Sequence, residues 1–148
     1  MSRIIFDFSR TLYNPTEDRL ESGTEEILQE LSKKHNLFLL SKNPAGRRER
    51  AEELVGKYFR RMFFVEEKSL DGLKKIIEDE KLNAGDCWIV GDRARKEIAF
   101  GKELGMKTVW VKQGKFAEEE PLKGLEPDFT INNLNELAYI IAGGWSSE

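Results

Sequence analysis

The amino-acid sequence predicts an α/β domain in which a mostly parallel sheet of five to six strands lies between two layers of helices. Short apolar runs alternate with charged amphipathic stretches, which is the pattern of such folds. Each run has the length of a buried strand, and most are rich in β-branched or aromatic residues. The 148 residues, of which 39% are hydrophobic, suit one packed domain over 1–148.

Six apolar runs are the candidate strands. The first covers residues 3–7 and ends in the acid Asp7, and the fourth covers residues 87–91 and leads directly into Asp92. The other four cover residues 36–41, 62–65, 107–111 and 128–131. Ligands of parallel α/β sheets bind at the carboxyl ends of the strands, so the residues that follow these runs are the candidates for chemistry.

The stretches between these runs carry apolar side chains at helical spacing. Thr24 and Ser69 are candidate N-caps, and Gly105 stands where a helix ends. Residues 112–127 are predicted to form a long surface loop, and residues 146–148 to fray at the end of the chain. The predicted helices cover residues 24–34, 47–57, 69–82, 94–104 and 133–142.

Composition excludes several classes of function. The 24 basic and 27 acidic side chains give a net charge of −3, which argues against a dedicated nucleic-acid binder. The single cysteine, Cys87, and the single histidine, His35, rule out a disulfide framework, a cysteine-rich zinc site and a histidine-pair metal site. No signal peptide or membrane-spanning run is predicted, so we expect a cytoplasmic protein with no membrane partner.

Four polar side chains fall at the predicted carboxyl edge of the sheet. Asp7, Ser41, Lys68 and Asp92 each end or follow a candidate strand. A carboxylate can attack phosphorus, and hard oxygen ligands can hold Mg²⁺. A lysine and a hydroxyl can bind the transferred group, so this set suits phosphoryl chemistry.

The residues around these positions resemble the ordered motifs of the haloacid dehalogenase (HAD) superfamily. The segment IIFDFSRTLY at 4–13 resembles the first motif, hhhDxDGT[LV], and LLSKN at 39–43 resembles the second. Lys68 matches the third-motif lysine, and WIVGDRARKEI at 88–98 resembles the fourth motif, GDxxxx[DE]I. The resemblance continues through LGMKTVWV at 104–111 and PDFTI at 127–131. This ordered set spans nearly the whole chain and implies a Rossmann-like three-layer sandwich.

The resemblance implies a Mg²⁺ site. Asp7 would be the nucleophile and a metal ligand, the backbone carbonyl of Ser9 and the carboxylate of Asp92 would be further ligands, and Glu97 would hold a metal-bound water. Two ordinary roles stay open, since Asp92 could instead cap the following helix and Glu97 could face solvent.

The resemblance also implies a phosphate site. Ser41 would bind a phosphoryl oxygen, and Lys68 would pair with Asp7 and the phosphate, with Lys74 as a less favoured substitute. Lys42 and Arg10 are further candidates for phosphate binding. Here too alternatives stay open: Ser41 is also an ordinary turn former, Lys42 could be solvated, and Arg10 could plug the site.

Two residues depart from the family pattern. Ser9 replaces the aspartate that serves as general acid and base in the phosphatases, and losing such a group costs about 10²–10⁴ in rate. Arg10 replaces a glycine, which tolerates positive φ more easily. We therefore predict a slow Mg²⁺-dependent phosphohydrolase, with a catalytically impaired phosphate-binding, metal-binding or regulatory protein as the alternative. A phosphoacceptor of the response-regulator kind is disfavoured, because its acceptor follows the third strand.

The spacing of the motifs leaves no room for a cap domain. One helix fills the interval between Asp7 and Ser41, and a helix and a strand fill the interval between Ser41 and Lys68. An open site admits a phosphorylated substrate as large as a phosphoprotein or a nucleic-acid end, and the oligomeric state stays open. A nearby basic cluster suits a solvated helix face better than a polyanion site; it comprises Arg47, Arg48, Arg50, Lys57, Arg60 and Arg61.

Overall fold

The computed structural model describes residues 2–141, which form a parallel sheet with helices on both faces. The six strands of the sheet are β1 (Arg3–Asp7), β4 (Asn36–Lys42), β5 (Arg61–Val65), β6 (Cys87–Gly91), β7 (Lys107–Val111) and β8 (Phe129–Ile131). They lie in the order β5-β4-β1-β6-β7-β8, and neighbouring strands pair in parallel. The first strand therefore lies in the middle of the sheet, between β4 and β6, where its end is flanked by two other strand ends.

Alternate side chains of the strands enter two different cores. In β1, Ile4 and Phe6 belong to the larger cluster, whereas Ile5 belongs to the smaller cluster on the opposite face. This is the period of two that an extended strand imposes. The apolar runs look continuous in the sequence because both faces of the sheet are buried.

The helices divide between these two faces. The larger cluster includes buried residues of α1 (Thr24–Ser32), α2 (Arg47–Val55) and the region of α5 (Leu137–Ile140). The smaller cluster includes residues of α3 (Leu70–Asp79), and α4 (Glu97–Glu103) contacts α3 on that side. The predicted three-layer α/β sandwich is thus confirmed. Short 3₁₀ turns cover Gly56–Tyr58, Ala84–Asp86, Gly114–Phe116 and Leu134–Glu136.

Several predicted helix boundaries differ from those observed. The Ser69 cap is confirmed, because its hydroxyl accepts a hydrogen bond from the backbone N–H of Gly72. The Thr24 cap is wrong, since Gly23 occupies the N-cap position and the Thr24 hydroxyl donates to the carbonyl of Leu12. The fourth helix begins at Glu97, several residues later than predicted. The helix predicted over 133–142 is divided into a 3₁₀ turn and α5, and its final residue lies outside the described part of the chain.

The interval after β1 contains a small hairpin that the pattern did not reveal. Its strands, β2 (Tyr13–Asn14) and β3 (Arg19–Leu20), pair antiparallel. Apart from this hairpin, the intervals between the motif positions hold the elements that were predicted, without a cap. Within residues 2–141, no helix is long and apolar enough to cross a membrane. The predicted fraying of residues 146–148 concerns a segment outside this range.

Candidate active site

The predicted catalytic residues meet at the carboxyl edge of the sheet. Asp7 ends β1, Ser41 lies near the end of β4, and Asp92 directly follows β6. All three are buried. Lys68 reaches the same place from the loop between β5 and α3, and its side chain is only 10% exposed. Parallel strand ends bring together residues that are far apart in the sequence, as expected for this fold.

Asp7 is held by hydrogen bonds on both of its carboxylate oxygens. The Lys68 ammonium donates to Oδ1, and the Thr11 hydroxyl donates to Oδ2 over 3.0 Å. The Lys68 ammonium also lies 3.4 Å from Oε1 of Glu97. Burial favours a lower pKa for Lys68, but the charges of Asp7 and Glu97 outweigh it and hold that pKa above its ordinary value. Lys68 is therefore a fixed positive charge beside the nucleophile candidate.

Three buried carboxylates form a compact cluster at this edge. Each of Asp7, Asp92 and Glu97 offers one oxygen, and these oxygens lie within 4.8 Å of one another. Within the described residues, Oδ2 of Asp92 is buried and has no hydrogen-bond partner. A buried carboxylate oxygen without a donor is costly unless something positive binds it. The donor set and this unpartnered oxygen fit a hard divalent cation such as Mg²⁺.

The pKa values of two carboxyl groups in the cluster are raised by their surroundings. Burial, followed by the charge of Asp7, raises the pKa of Asp92 to about 9. Burial also raises the pKa of Glu97, although the charge of Lys68 opposes this shift. Strongly perturbed carboxyl groups in a cleft are typical of functional sites.

The loop after β6 fixes the positions of Asp92 and Glu97. The indole N–H of Trp110 donates to the backbone carbonyl of Asp92 over 2.9 Å, and the backbone N–H of Arg93 donates to Oε2 of Glu97 over 3.1 Å. Because α4 begins only at Glu97, the alternative that Asp92 caps this helix is wrong. Glu97 is 1% exposed, so the alternative that it faces solvent is also wrong.

Gly91 makes room for the Glu97 carboxylate. A Cβ atom at position 91 would lie 2.3 Å from Oε2 of Glu97 and 2.6 Å from its Cγ. The glycine of the Gly91-Asp92 pair is therefore required by close approach and not by a positive φ.

The carboxylate cluster opens into a cavity of about 780 Å³. The predicted phosphate-binding residues, Ser41, Lys42 and Arg10, all line this cavity. The Ser41 hydroxyl donates to the carbonyl of Lys42 over 2.7 Å. The Lys42 ammonium is largely exposed and lies 3.3 Å from Oε1 of Glu67. Ser41 thus lies in the wall of the cavity, whereas Lys42 lies at its solvent side.

The two departures from the family pattern lie side by side in the cavity wall. The Ser9 hydroxyl accepts a hydrogen bond from the Arg47 guanidinium. Arg10 adopts φ 63°, the left-handed conformation that glycine provides more easily, and its carbonyl accepts a hydrogen bond from the Gln113 side chain over 3.1 Å. The cavity persists beside Arg10, so this side chain does not plug the site.

Sequence reasoning missed several residues that line the cavity or support Asp7. Thr11 lies inside the first motif and could have been found from it. Arg47 could not be distinguished from the other charged residues around it in the sequence. The basic cluster does not form one free positive surface, because Arg50 pairs with Asp18 and Glu53. Phe116 comes from the loop predicted over 112–127, where no local pattern marks it. The guanidinium carbon of Arg93 lies 3.8 Å from the centre of the Phe116 ring.

Comparison with known proteins identifies the family. Residues 56–137 match the family model described as HAD-hydrolase-like, and the chain belongs to that family. A glyceraldehyde 3-phosphate phosphatase from Methanocaldococcus jannaschii is 41% identical over 70 residues, which are 47% of this chain and 28% of that relative. The chain thus matches less than a third of the length of such curated relatives.

Solved structures agree on the fold. An HAD phosphatase from Thermococcus onnurineus superposes with a TM-score of 0.77 at 14% identity, over 97% of this chain and 99% of that chain. L-2-haloacid dehalogenase from Xanthobacter autotrophicus superposes with a TM-score of 0.76 at 11% identity, over the same shares of the two chains. These two proteins carry different names on one fold, so the likeness defines the architecture and the chemistry has to be argued from the site.

Proposed function

We propose that the protein is a Mg²⁺-dependent phosphohydrolase that forms an aspartyl-phosphate on Asp7. The observation that carries this proposal is the pairing of Asp7 with Lys68 beside two further buried carboxylates, one of which has an unpartnered oxygen. The names of the curated phosphatase relatives support phosphate-ester chemistry over dehalogenation. The intact Gly91-Asp92 pair supports it as well.

The proposed metal ligands are the carboxylates of Asp7 and Asp92 and the backbone carbonyl of Ser9. Glu97, which lies deeper in the cluster, is proposed to hold a metal-bound water. When bound, Mg²⁺ would offset the negative charges of the carboxylates and of the phosphoryl group. The chain itself contributes a second positive charge through Lys68.

The proposed reaction has two displacements at phosphorus. In the first, a carboxylate oxygen of Asp7 attacks phosphorus, the bond between phosphorus and the ester oxygen breaks, and the leaving oxygen takes a proton from solvent water. In the second, water attacks the phosphorus of the aspartyl-phosphate, the bond to the Asp7 oxygen breaks, and inorganic phosphate leaves with the carboxylate restored. Lys68 and the Ser41 hydroxyl would bind the phosphoryl oxygens in both steps.

The first displacement proceeds without a carboxylic acid at position 9. A serine hydroxyl has no useful pKa near neutrality, and the Ser9 hydroxyl already accepts a bond from Arg47. Glu67, another carboxylate in the cavity, is not suited to this role, because it is paired with Lys42 and Lys96 and its pKa is lowered by the hydrogen bond and charge of Lys42. We therefore expect esters with acidic leaving groups, such as aryl phosphates, to be cleaved better than alkyl phosphates.

The same observation favours a second candidate function. A site that keeps the nucleophile and the carboxylate cluster but lacks the acid could bind phosphate and a metal ion without turnover, as a regulatory or binding protein does. The substrate of the hydrolase would be a phosphorylated compound, and within residues 2–141 no further domain covers the cavity, so a macromolecular substrate could reach it.

Steady-state hydrolysis of p-nitrophenyl phosphate, with and without Mg²⁺, separates the two functions. We expect slow, Mg²⁺-dependent cleavage by the parent, none by Asp7→Asn, and faster cleavage by Ser9→Asp, alone or with Arg10→Gly. Asp79→Asn is the matched control, because it removes an exposed carboxylate that pairs with Lys75 on α3. A parent without metal-dependent activity, combined with no gain on restoring the acid, would favour the binding protein.

A further inference from the structure

We infer that the mouth of the cavity holds a second anion-binding subsite, formed by Arg10, Arg47 and Lys115, and that the substrate is a phosphomonoester with a second anionic group. This inference rests on the proposed phosphohydrolase function. It adds a second anionic group to the substrate, which the glyceraldehyde 3-phosphate named for the curated relatives does not carry.

The charges around the cavity are unevenly paired. Four of the basic side chains in its lining form salt bridges with carboxylates. Lys68 pairs with Asp7 and Glu97, Lys42 and Lys96 both pair with Glu67, and Arg93 pairs with Glu119. The other three basic side chains in the lining are Arg10, Arg47 and Lys115. None of these three makes a salt bridge with a carboxylate of residues 2–141. They are therefore positive charges available to an anion that enters the cavity.

The three cations without salt bridges all line the same cavity. The guanidinium carbon of Arg10 lies 5.8 Å from the centre of the Phe116 ring, and the Lys115 ammonium lies 5.4 Å from the same centre. Arg47 reaches the hydroxyl of Ser9, the residue that precedes Arg10. The three side chains thus approach one region from three different elements: the loop after β1, the start of α2 and the 112–127 loop.

The wall behind this region is braced. Arg93 stacks on Phe116, and its guanidinium donates to Oε2 of Glu119 over 2.9 and 3.1 Å. The backbone N–H of Arg10 donates to the carbonyl of Tyr13 over 2.6 Å, and its carbonyl is held by Gln113. A subsite built on braced residues loses less freedom when an anion binds.

The unpaired charge exceeds what one phosphoryl group requires. Lys68 and the proposed Mg²⁺ already provide positive charge at the scissile phosphoryl position. Each guanidinium presents five N–H donors in a planar fork that suits carboxylate or phosphate oxygens, and Arg47 gives one of its nitrogens to Ser9. The chain as a whole has a net charge of −3, so this local excess of positive charge is not a general property of the surface.

Calorimetric binding of phosphonates tests the subsite without requiring turnover. The probes are propylphosphonate, 3-phosphonopropionate and propane-1,3-diphosphonate, whose carbon–phosphorus bonds resist hydrolysis, each titrated into the full chain with Mg²⁺. We expect both bifunctional probes to bind the parent at least about ten-fold more tightly than propylphosphonate. The tighter of the two identifies the second group as a carboxylate or a phosphate.

Neutral replacements then assign the preference to these residues. The ratio of the dissociation constant of propylphosphonate to that of each bifunctional probe should fall by several-fold in Lys115→Gln and in Arg47→Gln. In the triple variant that also carries Arg10→Gln, this ratio should approach one. Lys115 is exposed in its loop, so its replacement keeps the test valid if the others fold poorly. Lys123→Gln, which is exposed in the same loop but outside the cavity lining, is the matched control and should keep the ratio of the parent.

The outcomes separate this inference from the proposed function. Equal dissociation constants for all three probes, no phosphonate binding by the parent, or a preference that survives in the triple variant would each overturn the subsite. Hydrolysis of an aryl phosphate without a preference would leave the phosphohydrolase in place and remove the subsite alone. A preference without any metal-dependent hydrolysis would keep the subsite and support the binding protein.

Discussion

Replacing Gly91 by alanine should weaken the proposed metal site without removing any group that is proposed to take part in the chemistry. The added Cβ would lie 2.3, 2.6 and 2.8 Å from Oε2, Cγ and Cδ of Glu97, all closer than real Cβ contacts. Glu97 is 1% exposed and cannot swing into solvent without opening the structure. The carboxylate must therefore move away from the backbone N–H of Arg93 and from Lys68, which now hold it.

The size of the effect follows from two alternative costs. Tolerating the overlap costs about 1–3 kcal/mol, as for other overpacked cores. Relieving it by moving Glu97 loses a hydrogen bond to a charged group, which contributes about 1.5–3 kcal/mol. The protein takes the cheaper route, so we expect a loss of about 2 kcal/mol. For a chain near 150 residues, this corresponds to a fall in Tm of roughly 4–8 °C.

Thermal unfolding by circular dichroism and calorimetric titration of Mg²⁺ provide the two readouts. Displacing a residue that orients a metal site typically costs about 10–100-fold in metal affinity, and we expect that loss for Gly91→Ala. Gly101→Ala is the matched control, because its Cβ would lie 2.6 Å from Cγ2 of Ile89 in the core, away from the carboxylates. It should lose a similar amount of stability but bind Mg²⁺ as the parent does. Unchanged Mg²⁺ affinity in Gly91→Ala would refute the reasoning.

Two further predictions concern pH. The pKa of Asp92 is about 9 in the folded protein against 3.8 for an ordinary aspartate. Metal-free protein should therefore lose stability relative to Asp92→Asn as pH rises through this interval. Urea unfolding in EDTA measures the difference in stability, and parallel curves of stability against pH for the two proteins would contradict the prediction. Burial, followed by the charge of the N-terminus, lowers the pKa of His35, whose Nδ1 accepts a hydrogen bond from the backbone N–H of Ser2. The contribution of neutral His35 to folding stability is therefore present above pH 6.5 and is lost as pH falls below that value. The parent should therefore lose more stability on acidification than His35→Gln, and an equal loss in both would contradict the assignment.

The sheet could be predicted from the sequence because both of its faces are buried. The strands at 3–7, 87–91 and 107–111 are observed as predicted, since a short continuous apolar run is typical of a strand that is buried on both faces. The start of α4 could not be predicted. The helical pattern extends back to Ala94, but residues 93–96 form a turn that lets Glu97 reach the carboxylate cluster. This is a tertiary requirement that local propensity does not contain.

The site was predictable where it depends on strand ends and hidden where it depends on loops. Asp7 and Asp92 follow apolar runs, so the topology brings them together without further information. Arg47 and Phe116 reach the cavity from a helix and a loop whose positions are set only by packing. Arg47 was missed for an additional reason, since its neighbours Arg48 and Glu49 are exposed on the helix as the charge pattern predicts.

The contact between Arg47 and Ser9 limits how much activity an added acid can restore. An aspartate at position 9 would meet the same guanidinium, and an opposite charge at close range lowers a carboxyl pKa by about 1–3 units. Because a general acid must be protonated to act, each unit removes about ten-fold of its active form. For an alkyl phosphate, whose leaving oxygen needs the proton, Ser9→Asp with Arg47→Gln should therefore approach the full gain of about 10²–10⁴ in kcat, and Ser9→Asp alone should remain at least about ten-fold below it. Arg47→Gln alone should show no such gain. Equal kcat values for the single and double variants at Ser9 would mean that Arg47 does not control acidity at this position, and the loss of the acid would then be independent of the arginine beside it.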